Sequence, residues 1–201
     1  MFNPKVAIAL LSAIAVATAT ACQPATQGNQ GSNQTNSTTE SVPTAQTNQT
    51  NNNQLSDQEF VNQAAESSLA EVQLGNLAVQ RAASDDVKQY AQRMIQEHTQ
   101  SNQQLATLAK QKNLTIPQNL NAKHQAVKAS LSALSGDAFD RAYMTQMQQD
   151  HDQVVALFQR EATQGQDAEL KNWAATLLPQ LQNHEAMAQK IASRLNNTSQ
   201  Q

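Results

Sequence analysis

From Leu55 onward apolar residues recur every three or four positions, in four long blocks and one short one. That spacing lines one face of an α-helix, not alternate faces of a strand. The first block opens on "LSDQEF": Ser56 and Glu59 have capping-box spacing, and Leu55 and Phe60 take the staple positions. A helix is expected from there to about Ala83. Its inward side gathers Phe60, Val61, Ala64, Ser68, Val72 and Val79, with Glu71 on the edge of that side and Glu66 in solvent. Ser84 is expected to cap a second helix, with Asp85 and Asp86 in the first turn, where carboxylates suit the helix dipole. Its stripe is Val87, Ala91, Met94, His98, Leu105 and Leu108.

Pro117 breaks the pattern. Leu120, His124, Val127, Leu131 and Leu134 then mark a short helix, in which His124 reads as a structural or partly exposed residue. After "SGD" a third long helix runs from about Ala138 to Thr163, burying Phe139, Tyr143, Met147, Val154, Leu157 and Phe158, with Asp150 and His151 astride that face. Asp167 caps the fourth, whose stripe includes Leu170, Trp173, Leu177, Leu181, His184, Ala188 and Ile191; Pro179 falls on its outer side. The long link lies between the second and third long helices, which lets those two run parallel. The pattern therefore predicts an all-α fold: a ferritin-like four-helix bundle with a short crossover helix between long helices 2 and 3.

Upstream the pattern changes. Residues 6–18, "VAIALLSAIAVAT", form an apolar run too short to span a bilayer comfortably, and "ATAC" follows with small residues before Cys22. This is the layout of a secretory signal (residues 1–21). Cys22, the only cysteine, resembles the lipidated first residue of a mature bacterial lipoprotein. Gln23 after it points to the outer membrane, by analogy with lipoprotein sorting. The chain is thus expected to be anchored by a lipid on Cys22, on the periplasmic side of the cell envelope. Cleavage after Ala21 without lipidation is the plainer alternative. Residues 22–54 are rich in Gln, Asn, Thr and Ser and cannot bury enough apolar surface to offset their ordering entropy. They read as a tether with a reach of about 30 Å. The bundle then occupies residues 55–196, with a disordered tail at 197–201. The net charge is −3 and no basic cluster exists, which argues against nucleic acid as a partner.

The candidate chemistry lies at mid-helix. "YAQRMIQEHTQ" and "YMTQMQQDHDQ" both spell Tyr-x3-Met-x-Gln-acid-His-x-Gln, and they use both tyrosines of the chain. Tyr90, Met94 and His98 form one ridge; Tyr143, Met147 and His151 form another. Glu71, His98, His151 and His184 each lie near the midpoint of their own helix, so they should meet at one level whichever way the helices run. Three imidazoles and a carboxylate suit one transition metal ion such as zinc, copper or iron. Glu97, Asp150, Tyr90 and Tyr143 would then support the ligands from outside. The rival reading is a metal-free structural or protein-interaction bundle, in which neutral histidines hydrogen-bond to Glu71 and the tyrosine hydroxyls. Met94, Met147 and Met187, each near a histidine, read either as gap fillers or as soft ligands for copper(I). No Ser-His-Asp, Cys-His or glycine-rich phosphate signature supports hydrolase or nucleotide chemistry. Binding is favoured over catalysis, a redox enzyme being the third class.

"SLAEVQLGNLA", "EHTQSNQQLATLA", "LSGDAFDRAYMTQMQQDH" and "LKNWAATLLPQLQNHEAMA" together resemble a bacterial exported family known as domain of unknown function 4142. The resemblance covers about Leu55 to Leu195. It implies a ferritin-like bundle, an envelope location and importance for Glu71, His98, His151 and His184, and it brings no known reaction. A di-iron carboxylate site needs Glu-x-x-His on two helices, whereas Ile95, Gln148 and Leu181 precede the three histidines by three positions. Ferroxidase chemistry is not expected.

Overall fold

The structure, a computed structural model, describes residues 55–198. The expected signal, tether and Cys22 lie outside the described residues. Five helices follow in order: α1 (Asp57–Arg81), α2 (Asp85–Gln111), α3 (Ala122–Ser132), α4 (Gly136–Gln164) and α5 (Ala168–Thr198). Residues 197 and 198 thus continue α5, two residues past the boundary expected from the sequence. α1 packs on α2 and α4, and α5 packs on α4 and α2.

The caps explain several boundaries. Ser56 and Glu59 form the reciprocal capping box, and Asp167 Oδ1 accepts from the amides of Glu169 and Leu170. Ser84 departs from expectation, because its side chain makes no capping bond. Buried Asp140, reaching from α4, does that work instead: its carboxylate accepts from the amides of Ala83 (3.1 Å) and Ser84 (2.7 Å). A capping carboxylate need not belong to the helix it caps; it needs only to meet the orphan amides. At the other end Lys112 joins Asp167 (2.7 Å) and Glu169 (2.6 Å), tying the end of α2 to the start of α5.

Two apolar clusters fill the bundle. One holds Leu74 and Ala78 from late α1, Val87 and Met94 from early α2, Phe139 and Met147 from early α4, and Ile191 from late α5. The other holds Phe60 from early α1, Leu105 from late α2, Phe158 from late α4 and Leu170 from early α5. Late α1, early α2, early α4 and late α5 therefore share one end, which makes α2 parallel to α4 and α1 parallel to α5. This is the one-crossover connectivity, with α3 on the return path.

The inward line of α1 differs from its expected one. Val72 is half-buried and Val79 is exposed, while Leu74, Gly75 and Ala78 are buried. At Gly75 α2 comes close: a Cβ there would lie 2.9 Å from Ile95 Cγ1 and 3.1 Å from the Ala91 carbonyl. Glu66 is half-buried, not solvated, and accepts from Asn121 Nδ2 at 2.8 Å.

Candidate metal centre

Between the two apolar clusters lies a polar level. His98 from α2, His151 from α4 and His184 from α5 are all buried there. Their ring centroids are 6.0 Å (98–151), 5.5 Å (98–184) and 5.4 Å (151–184) apart. Each ring offers a nitrogen within 4.8 Å of a nitrogen on the other two. Three points so spaced lie no more than about 2.8 Å from a common centre, against roughly 2.0–2.1 Å for a zinc–imidazole bond. A contraction of under about 1 Å, within reach of small ring rotations, would bring all three to bonding distance.

Each imidazole has one nitrogen engaged and one left over. His98 Nδ1 meets Ser68 Oγ at 3.1 Å, and Ser68 Oγ also reaches the His98 carbonyl at 3.3 Å. His151 Nδ1 donates to the Met147 carbonyl one turn back, at 2.9 Å. His184 Nε2 donates to Glu97 Oε2 at 2.6 Å. Glu97 is itself fixed by Arg93 Nε (2.8 Å) and Gln180 Nε2 (2.7 Å). The remaining atoms, His98 Nε2, His151 Nε2 and His184 Nδ1, are buried without a hydrogen-bond partner. A buried orphan of this kind costs on the order of 1–3 kcal/mol, and the histidine trio carries three.

Electrostatics keep these rings unprotonated. Burial lowers the His98 pKa well below its usual value, and the neighbouring His151 and His184 lower it further. Burial brings His151 down to about 4 despite its bond to Met147, and it lowers His184 despite Glu97. Glu97 is pushed up by partial burial, but the bonds from Arg93 and His184 outweigh this and leave it lowered. At neutral pH the site is three neutral imidazoles with lone pairs available, backed by one ionised carboxylate.

The other expected residues fall in different places. Glu71 is buried at the same level but does not join the trio: its Oε1 is 3.9 Å from His151 Nδ1, the nitrogen already bonded to Met147. Burial, then the nearby charge of Asp150, raises the Glu71 pKa well above the carboxylate range. Glu71 Oε2 and the hydroxyls of Tyr90 and Tyr143 are buried without partners. The expected histidine–Glu71–tyrosine hydrogen-bond network is therefore not formed. The aromatic ridges supply ring contacts instead, Tyr90 lying 6.3 Å from Tyr143 and 6.4 Å from His151 between centroids. Asp150 accepts from Gln146 Nε2 at 2.9 Å and makes no bond to a histidine. Met94 and Met147 belong to the apolar cluster, and the Met187 sulfur receives Arg93 Nη1 at 3.3 Å. Ser68 was legible as a core-facing position but not as the partner of His98; a serine thirty residues upstream carries no sequence signal for that pairing.

The profile of a family described as Domain of unknown function (DUF4142) matches residues 41–191. The chain belongs to the DUF4142 family. No curated protein matches this DUF4142 chain in sequence. Among solved structures, it is similar to CopM in its Cu(II)-bound form, with a TM-score of 0.61 and 16% identity over 70% of this chain and 98% of that one. It is also similar to a putative secreted DUF305 protein from Streptomyces coelicolor, with a TM-score of 0.56 and 12% identity over 67% of this chain and 90% of that one. At such identities the likeness is one of fold: a helical bundle shared by all three.

Proposed function

We propose that this DUF4142 chain is an exported envelope protein whose bundle binds one transition metal ion. His98 Nε2, His151 Nε2 and His184 Nδ1 are the ligands in this reading, with copper the leading metal and zinc and iron behind it. The carrying observations are that three buried, neutral imidazoles each bring a nitrogen within 4.8 Å of the other two, and that each ring keeps one buried nitrogen without a partner. A hydrogen-bonded structural core would pair those atoms; a metal ion satisfies all three at once. Ser68, the Met147 carbonyl and Glu97 then do what outer partners of ligating histidines do, fixing tautomer and ring orientation. The fold shared with copper-bound CopM supports copper over the other two. Three protein ligands leave a position for water or a small ligand, so the site is suited to holding and handing on an ion.

Export is supported by the apolar leader and by the secreted DUF305 neighbour. A lipid on Cys22 and an outer-membrane address complete the proposal, with residues 22–54 as the spacer between membrane and bundle. Protein purified without a histidine tag and titrated with copper(II) should take up one tight equivalent. The double variant His98→Ala/His184→Ala should lose it. Unchanged uptake in that variant would exclude the trio as the site.

A further inference from the structure

The three ring nitrogens assigned to the metal are buried, so an ion reaches them only if part of the bundle moves. The outer partners of the rings show which part. Ser68, which meets His98, is buried in α1, and the carbonyl that meets His151 belongs to Met147 in the core. Glu97 is different: its side chain is 24% exposed, and it lies 2.6 Å from His184 Nε2. Of the three rings, His184 is the one whose outer partner reaches solvent. Two facing ridges build this wall. α5 presents Gln180, His184 and Met187, spaced four and three apart, and α2 presents Arg93 and Glu97, four apart. Arg93 Nε donates to Glu97 Oε1 at 2.8 Å while Arg93 Nη1 reaches Met187 Sδ at 3.3 Å, so one guanidinium ties the two helices together. Gln180 Nε2 adds a bond to Glu97 Oε2 at 2.7 Å. The Arg93 side chain is 46% exposed, where solvent leaves an ion pair little net hold. A thioether is a weak acceptor besides.

Pro179 supplies the second half of the device. It lies inside α5, one residue before Gln180 and five before His184. A proline there offers no amide to the Ala175 carbonyl and crowds it, which weakens the helix at that turn. The weak turn thus adjoins the stretch of α5 that carries a ligand and that Arg93 and Glu97 hold from across the seam. We infer that α5 beyond Pro179 is the moving part of the metal site: it carries His184 out of the trio and back, and the Arg93–Glu97–Met187 contact is the latch that holds it in. The inference rests on the trio reading. With the latch closed, His184 Nδ1 stands beside the other two rings and the ion is enclosed. With the latch open, one of three ligands leaves and the ion can exchange with solvent. A latch acts on the opening itself, so it changes uptake and release by the same factor.

Trp173 is the only tryptophan of the chain and lines one small cavity with His98, so copper(II) at the trio should quench its fluorescence. Stopped flow on full-length, untagged protein then reads uptake from copper(II)–glycine and release to excess EDTA. Arg93→Lys keeps the charge but cannot bridge both partners, and Met187→Leu keeps the bulk but removes the sulfur. Each should speed uptake and release alike, by roughly three- to fivefold, the most that one exposed ion pair supplies. The two combined should be no faster than the faster single variant, because both release the same latch. Pro179→Ala restores the missing amide and should slow both rates. Thermal melts of every variant guard against loss of fold. Unchanged rates in the folded variants would overturn the latch while leaving copper binding in place. A change in release alone would also overturn it, since Arg93 would then merely tune affinity. A wild-type quench that His98→Ala/His184→Ala retains would sink the trio reading, and the latch with it.

Discussion

Glu97 shows how a residue outside the trio sets its chemistry. It lies one position before His98 on α2, yet its partner is His184 on α5, which it meets at 2.6 Å. Its charge steadies the Nε2–H tautomer of His184 and pushes electron density toward the unpartnered Nδ1. Glu97→Gln keeps the size and an acceptor but removes the charge. Metal affinity should fall by roughly 10–100-fold, with thermal stability of the metal-free protein little changed, because Glu97 is only partly buried. Competition against a chromophoric chelator measures this, and an unaltered affinity would show that Glu97 merely decorates the site. At this scale the sequence disclosed which histidines meet, because a mid-helix residue sits at mid-height whatever the helix direction. It did not disclose which nitrogen faces inward, since that depends on rotamers set by Ser68, Met147 and Glu97. Glu71 shows the same limit. Its burial was readable from the wheel, but its station on the far side of His151, facing Nδ1, was not.

Among the elements, the α1–α2 corner is the point where sequence pattern and physical support part company. "ASDD" reads as a serine cap, and the chain does turn there, yet the amides of residues 83 and 84 are held by Asp140 across the bundle. Ser84→Ala should therefore change stability by no more than about 0.5 kcal/mol, below the usual effect of a lost cap. Asp140→Ala removes two charge-assisted bonds and a buried carboxylate together, and should cost about 1–3 kcal/mol. Urea unfolding at constant slope distinguishes the two; the reverse order would restore the local cap. Local spacing finds helix ends well because it reports backbone propensity. It is blind to donors and acceptors supplied from 56 or 57 positions away, and to close approaches such as that of Gly75 in α1 to α2, where an absent side chain is the signal.

Across the whole bundle the polar level interrupts an otherwise continuous apolar core, and this ties stability to pH and to metal. The sign follows from the histidines. Their folded pKa values lie below the ordinary value near 6.5, reaching about 4 at His151, so the unfolded chain binds more protons between those limits. Their contribution to stability is full above about pH 6.5 and is lost as the pH falls toward 4, at up to ~1.4 kcal/mol per pH unit for each imidazole. Glu71 acts oppositely: its raised pKa means the folded chain keeps a proton the unfolded chain has released, so its contribution fades as the pH rises above the ordinary carboxylate value. Thermal melts of the metal-free protein should therefore show an acid limb that His98→Ala/His184→Ala flattens and Glu71→Gln leaves in place. Saturating metal should raise the melting temperature of the wild type only, by the equivalent of ~2.7 kcal/mol at a hundredfold excess over Kd. The metal's gain should vanish on the same acid limb, because protons and metal compete for the same three nitrogens. If the double variant keeps the full acid limb, the buried rings are not what acid attacks, and the polar level must be held together by groups other than the trio.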